Sequence, residues 1–337
     1  MQETETALKS QIFPFFIPHA GCPHHCIYCD QHAITQHSGD ISPKQLIDLE
    51  RFCQSHSEVD KEIAFYGGSF NLLPQAKRFQ YYQLTKSYID NHTHLRVSVF
   101  PTVSNPELLS EFRQHSVCTI EVGIQSFNNQ VLEKSGRSYT AAVAESFCRE
   151  VKAADFQLSI QLMPGLPGYG KHSLRETMRI TLDIKPELLR IYPLVVLRGT
   201  EIALHYQQGK YTPLTLGRAV VITAWMSGLS ESHGIQLIKA GLHGDISSEN
   251  IVAGPFHPQF GEMVRAYRYF QKVRKAYKKH STLCISPKDV SLFKGRGGAC
   301  LQNLKTAFGV KKIPIVIDTE LKKDSFSVNN IKSDFFW

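Results

Sequence analysis

Cys22-Pro-His-His-Cys26-Ile-Tyr-Cys29 carries three cysteines in eight residues, spaced C-x3-C-x2-C, and no fourth cysteine follows nearby. Three thiolates on one short loop can hold three corners of a cubane iron-sulfur cluster, leaving the fourth iron open to a small molecule. A structural zinc site wants four closed ligands. His19, His24, His25 and His32 are near enough in sequence to supply the fourth, so a Cys3His knuckle is the alternative at this point.

The loop directly follows a β-rich run, Ile12 to Pro18, and that register repeats along the chain. Further runs span Ile63 to Tyr66, Leu95 to Phe100, Thr119 to Ile124, Gln157 to Met163, Leu188 to Val196 and Ile235 to Ala240. Stretches with helical apolar spacing lie between them, among them Pro43 to Cys53, Pro106 to Gln114, Ala141 to Ala154, Ser173 to Asp183 and Leu216 to Ser230. Strands alternating with helices imply parallel βαβ units and an α/β fold. The polar and glycine motifs follow the strands: Gly67-Gly68-Ser69, Pro101-Thr102, Gln125-Ser126, Pro164-Gly165 and His243-Gly244-Asp245. In a full or partial parallel (β/α) barrel all these loops open on one face, where active sites assemble. The cysteine loop would share that face.

Composition sets bounds on the class. With 42% hydrophobic residues in 337, the chain can bury a large core, and its length allows one big domain or one plus a small appendage. Cys53, Cys118, Cys148, Cys284 and Cys300 are scattered, which argues against a disulfide framework and for a reducing compartment. No secretory signal pattern and no apolar run of membrane-spanning length is present, so the expectation is a cytoplasmic protein that does not enter membranes. The net charge of +8 is uneven. Residues 265–337 hold 16 Lys and Arg against 5 Asp and Glu, a balance of +11, which leaves −3 for residues 1–264.

Two interior motifs point to ligand binding. The glycines of Gly67-Gly68-Ser69 let backbone approach a ligand closely. In Glu121-Val-Gly-Ile-Gln125-Ser126, period-two alternation puts Glu121, Gly123 and Gln125 on one side of a strand. An acid on the inner face of a barrel is costly unless it is paired or hydrogen-bonded, so Glu121 either serves a ligand or bridges a neighbouring base. Downstream, Arg137 offers a bidentate fork for a carboxylate, or else is a solvated helix-end residue.

The cysteine triplet, with Tyr28 just before its last member, resembles the signature of radical S-adenosylmethionine (SAM) enzymes. FFIPHAGCPHHCIYCDQ, FYGGSF, EVGIQSFNNQVLEKSGRSYT, QLMPGLPG, RIYPLVVLRGTEI and ENIVAGPFHPQFGEMV together resemble the radical SAM core of the elongator catalytic subunit and its shorter bacterial relatives, over roughly residues 10 to 265. The resemblance implies that Cys22, Cys26 and Cys29 bind a [4Fe-4S] cluster and that S-adenosylmethionine occupies the open iron. It further implies that Gly67, Gly68 and Ser69 face the methionine amino group, with Ser69 where the family often has an acid. Arg137 is then a partner for the carboxylate. The strand end at Gln161 and the turn after it line the adenine, and Tyr28, Glu121, Gln125 and Ser126 complete the cofactor pocket. The chemistry implied is reductive cleavage of S-adenosylmethionine to a 5'-deoxyadenosyl radical, with a reducing electron donor as partner. The elongator subunit modifies C5 of wobble uridine in transfer RNA and carries a C-terminal acetyltransferase domain; the expectation here is a protein without that domain. Where the elongator pattern reads Arg-Gly-His, this chain has Arg137-Ser138-Tyr139.

The basic tail carries a signature of its own. Arg265, Arg268, Lys272, Arg274, Lys275, Lys278 and Lys279 interleave with Tyr267, Tyr269, Phe270 and Tyr277 in one expected helix. Then Lys294-Gly295-Arg296-Gly297-Gly298 opens an amphipathic helix followed by a strand, Ile313 to Ile317. That order resembles the core of a KH module, whose G-x-x-G loop clamps nucleic-acid backbone. Residues 10–264 are therefore expected to form the radical SAM barrel and residues 265–337 a small α+β, KH-like module that contacts RNA through Lys294, Gly295, Arg296, Gly297 and Gly298. Three functions remain at this stage: a radical SAM enzyme modifying an RNA base such as a tRNA uridine, one acting on a small molecule such as a porphyrin, and a non-catalytic RNA-binding protein with a zinc knuckle.

Overall fold

The computed structural model describes residues 10–334 apart from 24–25, 32–33, 35–40, 57, 104, 244–245, 296–297 and 330; of 299 and 331–334 only the backbone is described. His24, His25, His32, Gly244, Asp245, Arg296 and Gly297 thus lie outside the described residues.

Seven strands form one sheet in chain order: β1 (Gln11–Phe16), β2 (Lys61–Tyr66), β3 (Thr93–Val99), β4 (Val117–Gln125), β5 (Gln157–Leu162), β6 (Leu188–Ile191) and β8 (Gln236–Ala240). All pairings in it are parallel. Helices Pro43–Ser55, Gln75–Thr85, Pro106–Gln114, Ala141–Ala153, Lys171–Ile184 and Leu216–Glu231 connect successive strands. Their starts are set locally: Ser42 and Gln45 form a reciprocal capping box, and Asn105, Thr140 and Thr215 accept from backbone amides of the first turn.

The strands β1 and β8 each pair along one edge only, so the sheet does not close into a hydrogen-bonded ring. It is nonetheless curled. Six strand spacings would hold the edges of a flat sheet roughly 29 Å apart. The rings of Phe16, at the end of β1, and His243, just past β8, have centroids 6.5 Å apart. The expected α/β barrel is a partial one.

Alternation decides what each face of this sheet does. Ile63, Phe65, Leu95, Val97, Ile120, Val122, Leu158, Ile160, Leu189 and Ile191 are buried in the main core. The register sets Ala64 beside Arg96, Ser98 beside Glu121, Glu121 beside Ser159, and Gln161 beside Arg190 on the other, inner face. That interior holds a run of alternating charge. Arg96 donates to Glu62 at 2.5 and 3.0 Å and to Glu121 at 3.3 Å, and Arg190 Nε lies 2.8 Å from the same Glu121 oxygen. Two acids and two bases neutralise one another where a lone charge would be untenable.

The sequence run Leu188 to Val196 is broken in the fold. β6 ends at Ile191, and β7 (Val196–Leu197) leaves the main sheet to pair antiparallel with β9 (Ile251–Ala253). Pro193 lacks the amide a parallel ladder needs, and the strand ends before it. The freed segment, Tyr192 to Leu197, crosses to the cysteine loop and lines the mouth of the barrel.

The tail forms a second core around β10 (Leu283–Ile285), β11 (Ile315–Ile317), β12 (Ser325–Val328) and β13 (Ile331–Asp334), a sheet in the order β11-β10-β12-β13. Helix Ala299–Phe308 and strand β11 follow Gly298 in the order expected from the sequence, and a short helix, Val290–Lys294, precedes Gly295. A single helix, Phe260–Ala276, straddles the expected boundary at 264/265: its first turns bury Phe260 and Val264 in the barrel core, its later turns Tyr269, Phe270 and Val273 in the second. Arg265 and Arg268, two of the bases of this helix, do not face solvent. They are 9% and 7% exposed; Arg268 pairs with Glu231 of the barrel and Arg265 with Asp289 and Asp324 of the tail. Arg268 thus ties the helix to the barrel and Arg265 ties it to the tail, and the exposed bases nearby are Arg274, Lys275, Lys278 and Lys279. Among the described residues no helix is long and apolar enough to cross a membrane.

Candidate active site

The cysteine loop and the Gly67-Gly68-Ser69 loop are built as one piece. The amide of His19 donates to the carbonyl of Gly67 at 2.8 Å, and that of Ser69 to Ala20 at 2.8 Å. A Cβ on Gly68 would collide with the carbonyl of Ala20 and come within 2.7 Å of that of Ile17; one on Gly21 would strike Ser69 and Leu73. The sequence reading gave Gly68 the task of letting a ligand approach. In the fold, what approaches Gly68 is the backbone that leads into the cysteine loop. Gly68→Ala is accordingly expected to displace that loop, so that the purified variant holds less than half the iron of the unaltered protein; full iron with only weakened cofactor binding would restore the original reading.

Each cysteine sulfur meets one polar side chain. Cys22 Sγ lies 3.4 Å from Ser69 Oγ, Cys29 Sγ accepts from Gln31 Nε2 at 3.4 Å, and Cys26 Sγ accepts from Arg137 at 3.1 Å. Burial raises the Cys22 thiol and pushes that of Cys29 up to about 12, so the free loop holds these two thiols protonated at neutral pH. A bound cation that takes up their negative charge favours thiolates at this place.

Arg137 is neither a solvated helix-end residue nor a free fork for a carboxylate. Its guanidinium is buried over the rings of Phe100 and Tyr139, 4.7 and 4.8 Å from their centroids, and donates to Cys26 Sγ, to the Gly123 carbonyl at 2.5 Å and to Tyr139 Oη. A Cβ on Gly123 would only touch the guanidinium, at 3.8 Å, but would come within 3.2 Å of Gln125 Nε2, so the glycine leaves room for the Gln125 amide. A buried cation touching a cluster ligand favours the more negative, reduced form of the cluster. Arg137→Gln should therefore lower the cluster reduction potential, measured by electron paramagnetic resonance titration; an unchanged potential would leave Arg137 a packing role.

Of the other expected pocket residues, Tyr28, Gly67, Gly68, Ser69, Glu121, Gln125 and Gln161 line the same cavity as the three cysteines. Gln161 donates to Gln125 at 3.2 Å, which orients both amides. Ser126 is elsewhere. Its hydroxyl is 3.1 Å from that of Thr177 and accepts from the Asn128 amide, fixing the turn after β4, because Gln125 takes a left-handed backbone (φ 66°) that rotates the next residue away. The sequence reading missed Tyr66, Ser98, Arg190, Tyr192 and His243, which also line the cavity. The period-two alternation of β2, β3 and β6 would have pointed to the first three once their inner face was known.

The cavity fits the cofactors that the cysteine spacing implies. Three sulfurs converge with donors already placed. Among the described residues the buried Tyr28 hydroxyl has no partner and the second oxygen of Glu121 carries no hydrogen bond, so a ligand bearing both an amino group and hydrogen-bonding ring atoms has somewhere to bind.

Comparison with known proteins agrees. The pattern of the Radical SAM superfamily matches residues 16–180, and that of the Radical SAM C-terminal domain residues 186–271. The chain is 24% identical over 181 residues to the tRNA uridine(34) acetyltransferase of Methanocaldococcus jannaschii, covering 53% of this chain and 32% of that protein. It is 27% identical over 195 residues to the heme chaperone HemW of Haemophilus influenzae, covering 54% of this chain and 51% of that one. It thus spans a third to a half of the length of these curated relatives. The solved structure of Elp3 from Methanocaldococcus infernus, with its N-terminus deleted, shares the fold at a TM-score of 0.57 and 18% identity, over 78% of this chain and 63% of that one. The chain belongs to the radical SAM superfamily and is an elongator-like radical SAM enzyme, with a [4Fe-4S] cluster and S-adenosylmethionine as its cofactors.

Proposed function

We propose that this enzyme modifies a base of RNA, in the first place a uridine of transfer RNA. One observation carries the reading: a module with a balance of +11 is fastened by a shared helix and the Arg268–Glu231 ion pair to a barrel that is itself slightly acidic. A porphyrin-type substrate gives no reason for such a module, whereas a polyanion does. The similarity to a tRNA uridine(34) acetyltransferase supports the same substrate class. The similarity to HemW favours the small-molecule reading, and the charge distribution weighs against it.

When bound and reduced by an electron donor, the cluster and S-adenosylmethionine supply a carbon-centred radical. The chain's own residues hold and seclude that chemistry. Cys22, Cys26 and Cys29 anchor the cluster, and Ser69, Gln31 and Arg137 orient the sulfurs. Glu121, held by Arg96 and Arg190, offers one oxygen to the cavity, and the Gln125–Gln161 pair offers amide groups. Leu194, Val195 and Leu197 give the mouth an apolar wall that excludes water.

Mass spectrometry of tRNA nucleosides from a strain lacking the gene tests the proposal. One modified uridine should vanish and return with the intact gene but not with a Cys26→Ala copy. An unchanged nucleoside profile together with accumulation of a porphyrin would replace this reading by the small-molecule one.

A further inference from the structure

In the cavity, on the ends of β2 and β6, two phenols are held on one guanidinium. Arg190 donates to Tyr66 Oη at 2.6 Å and to Tyr192 Oη at 2.9 Å, and its plane lies over the Tyr66 ring, 5.0 Å from the centroid. Its Nε faces Glu121 at 2.8 Å, an ion pair without hydrogen-bond alignment. The guanidinium is therefore held between one carboxylate and the two phenols.

A phenol that accepts from an arginine still has its own proton to give. Among the described residues neither Tyr66 nor Tyr192 donates to any group, and both line the cavity. Burial raises both phenols, and the nearby Glu121 adds to this, so each keeps its proton across the physiological range. Arg190 thus fixes two O–H donors that have no acceptor among the described residues. Facing the cavity, the pair is set to donate to acceptors that a ligand brings.

The surroundings narrow the ligand. The Phe16 ring lies 6.3 Å from that of Tyr66 and 6.5 Å from that of His243, so the seam between the first and last strands is aromatic. A flat ring with two exocyclic carbonyl oxygens satisfies both features, by stacking at the seam and by accepting from the phenols. We propose that Tyr66 and Tyr192 form the subsite for the substrate base, reading the carbonyl oxygens of a uracil turned out of its RNA; this rests on the RNA-modification reading above. Cytosine, with an amino group in place of one carbonyl, would set a donor against a donor and be rejected.

The test uses the full chain, reconstituted with cluster, and an anticodon stem-loop RNA carrying either uridine or 4-thiouridine at the modified position. Near-ultraviolet irradiation of the 4-thiouridine RNA should crosslink to peptides containing Phe16, Tyr66 or Tyr192. Tyr66→Phe and Tyr192→Phe keep the rings and remove the hydroxyls, and each should raise KM for the uridine RNA by roughly three- to tenfold. The 4-thiouridine RNA, a weaker acceptor, should show a smaller penalty in at least one variant. S-adenosylmethionine affinity should hold. A fall in that affinity would assign the hydroxyls to the cofactor and overturn the subsite. Crosslinks elsewhere, or KM values equal to the unaltered protein's while it still modifies the RNA, would overturn it alone. An unaltered protein that neither modifies nor crosslinks to RNA would overturn the RNA-modification reading with it.

Discussion

Alanine at any one of Cys22, Cys26 or Cys29 is expected to abolish iron and sulfide binding and reductive cleavage of S-adenosylmethionine, while Cys53→Ala and Cys148→Ala retain both. The three loop cysteines line the cavity, whereas Cys53 and Cys148 belong to helices Pro43–Ser55 and Ala141–Ala153 outside it. The three variants should also differ from one another before any metal is added. Cys26→Ala deprives the buried Arg137 guanidinium of one acceptor, at about 1–3 kcal/mol, whereas Cys22→Ala frees only the hydroxyl of Ser69. Thermal melting of the apo-proteins should rank Cys26→Ala below Cys22→Ala. Stoichiometric iron in two of the three loop variants would end the cluster assignment.

Much of this was legible because it follows from spacing. Alternating strands and helices gave the parallel sheet, and the loops after the strands gave the shared mouth. What escaped was whatever depends on register between distant strands. Nothing in Lys61-Glu62-Ile-Ala-Phe-Tyr66 says that Glu62 is buried against Arg96, since an alternating strand with charges on one face reads equally well as half-exposed. Only when β2 and β3 are aligned do those residues face the same interior. Gly68 shows a related limit: sequence reveals that a residue must be small, not everything that comes close to it, which here includes the backbone leading into the cysteine loop as well as the cavity. The tail arginines misled because helical spacing cannot tell a solvent-facing base from one that meets an acid of another element. Arg268 finds Glu231 and Arg265 finds Asp289 and Asp324, 37, 24 and 59 positions away.

That distinction also reshapes the test of the tail. Truncation before Arg265 would cut the helix that is packed into both cores, so loss of RNA binding would merely report unfolding. Charge reversal at exposed lysines avoids this. Lys278, Lys279, Lys294 and Lys311 are all exposed, and Lys294 directly precedes Gly295. Reversing the four to glutamate should weaken tRNA binding on the order of a hundredfold at low salt and leave the melting temperature within a few degrees. Because each lost phosphate contact removes about 0.7–0.9 from the slope of log affinity against log salt concentration, the variant's slope should be shallower by roughly three. Reversing Lys171 and Lys210, exposed bases of the barrel unit, should move neither quantity appreciably. The comparison separates two meanings of a basic protein. If all lysines act through net charge, the barrel reversals will lower affinity in proportion to their number; if the tail is the RNA-binding surface, only its own lysines will set the slope. Equal affinity and equal slope for the tail variant and the unaltered protein would remove the module from RNA recognition and leave its charge without a function.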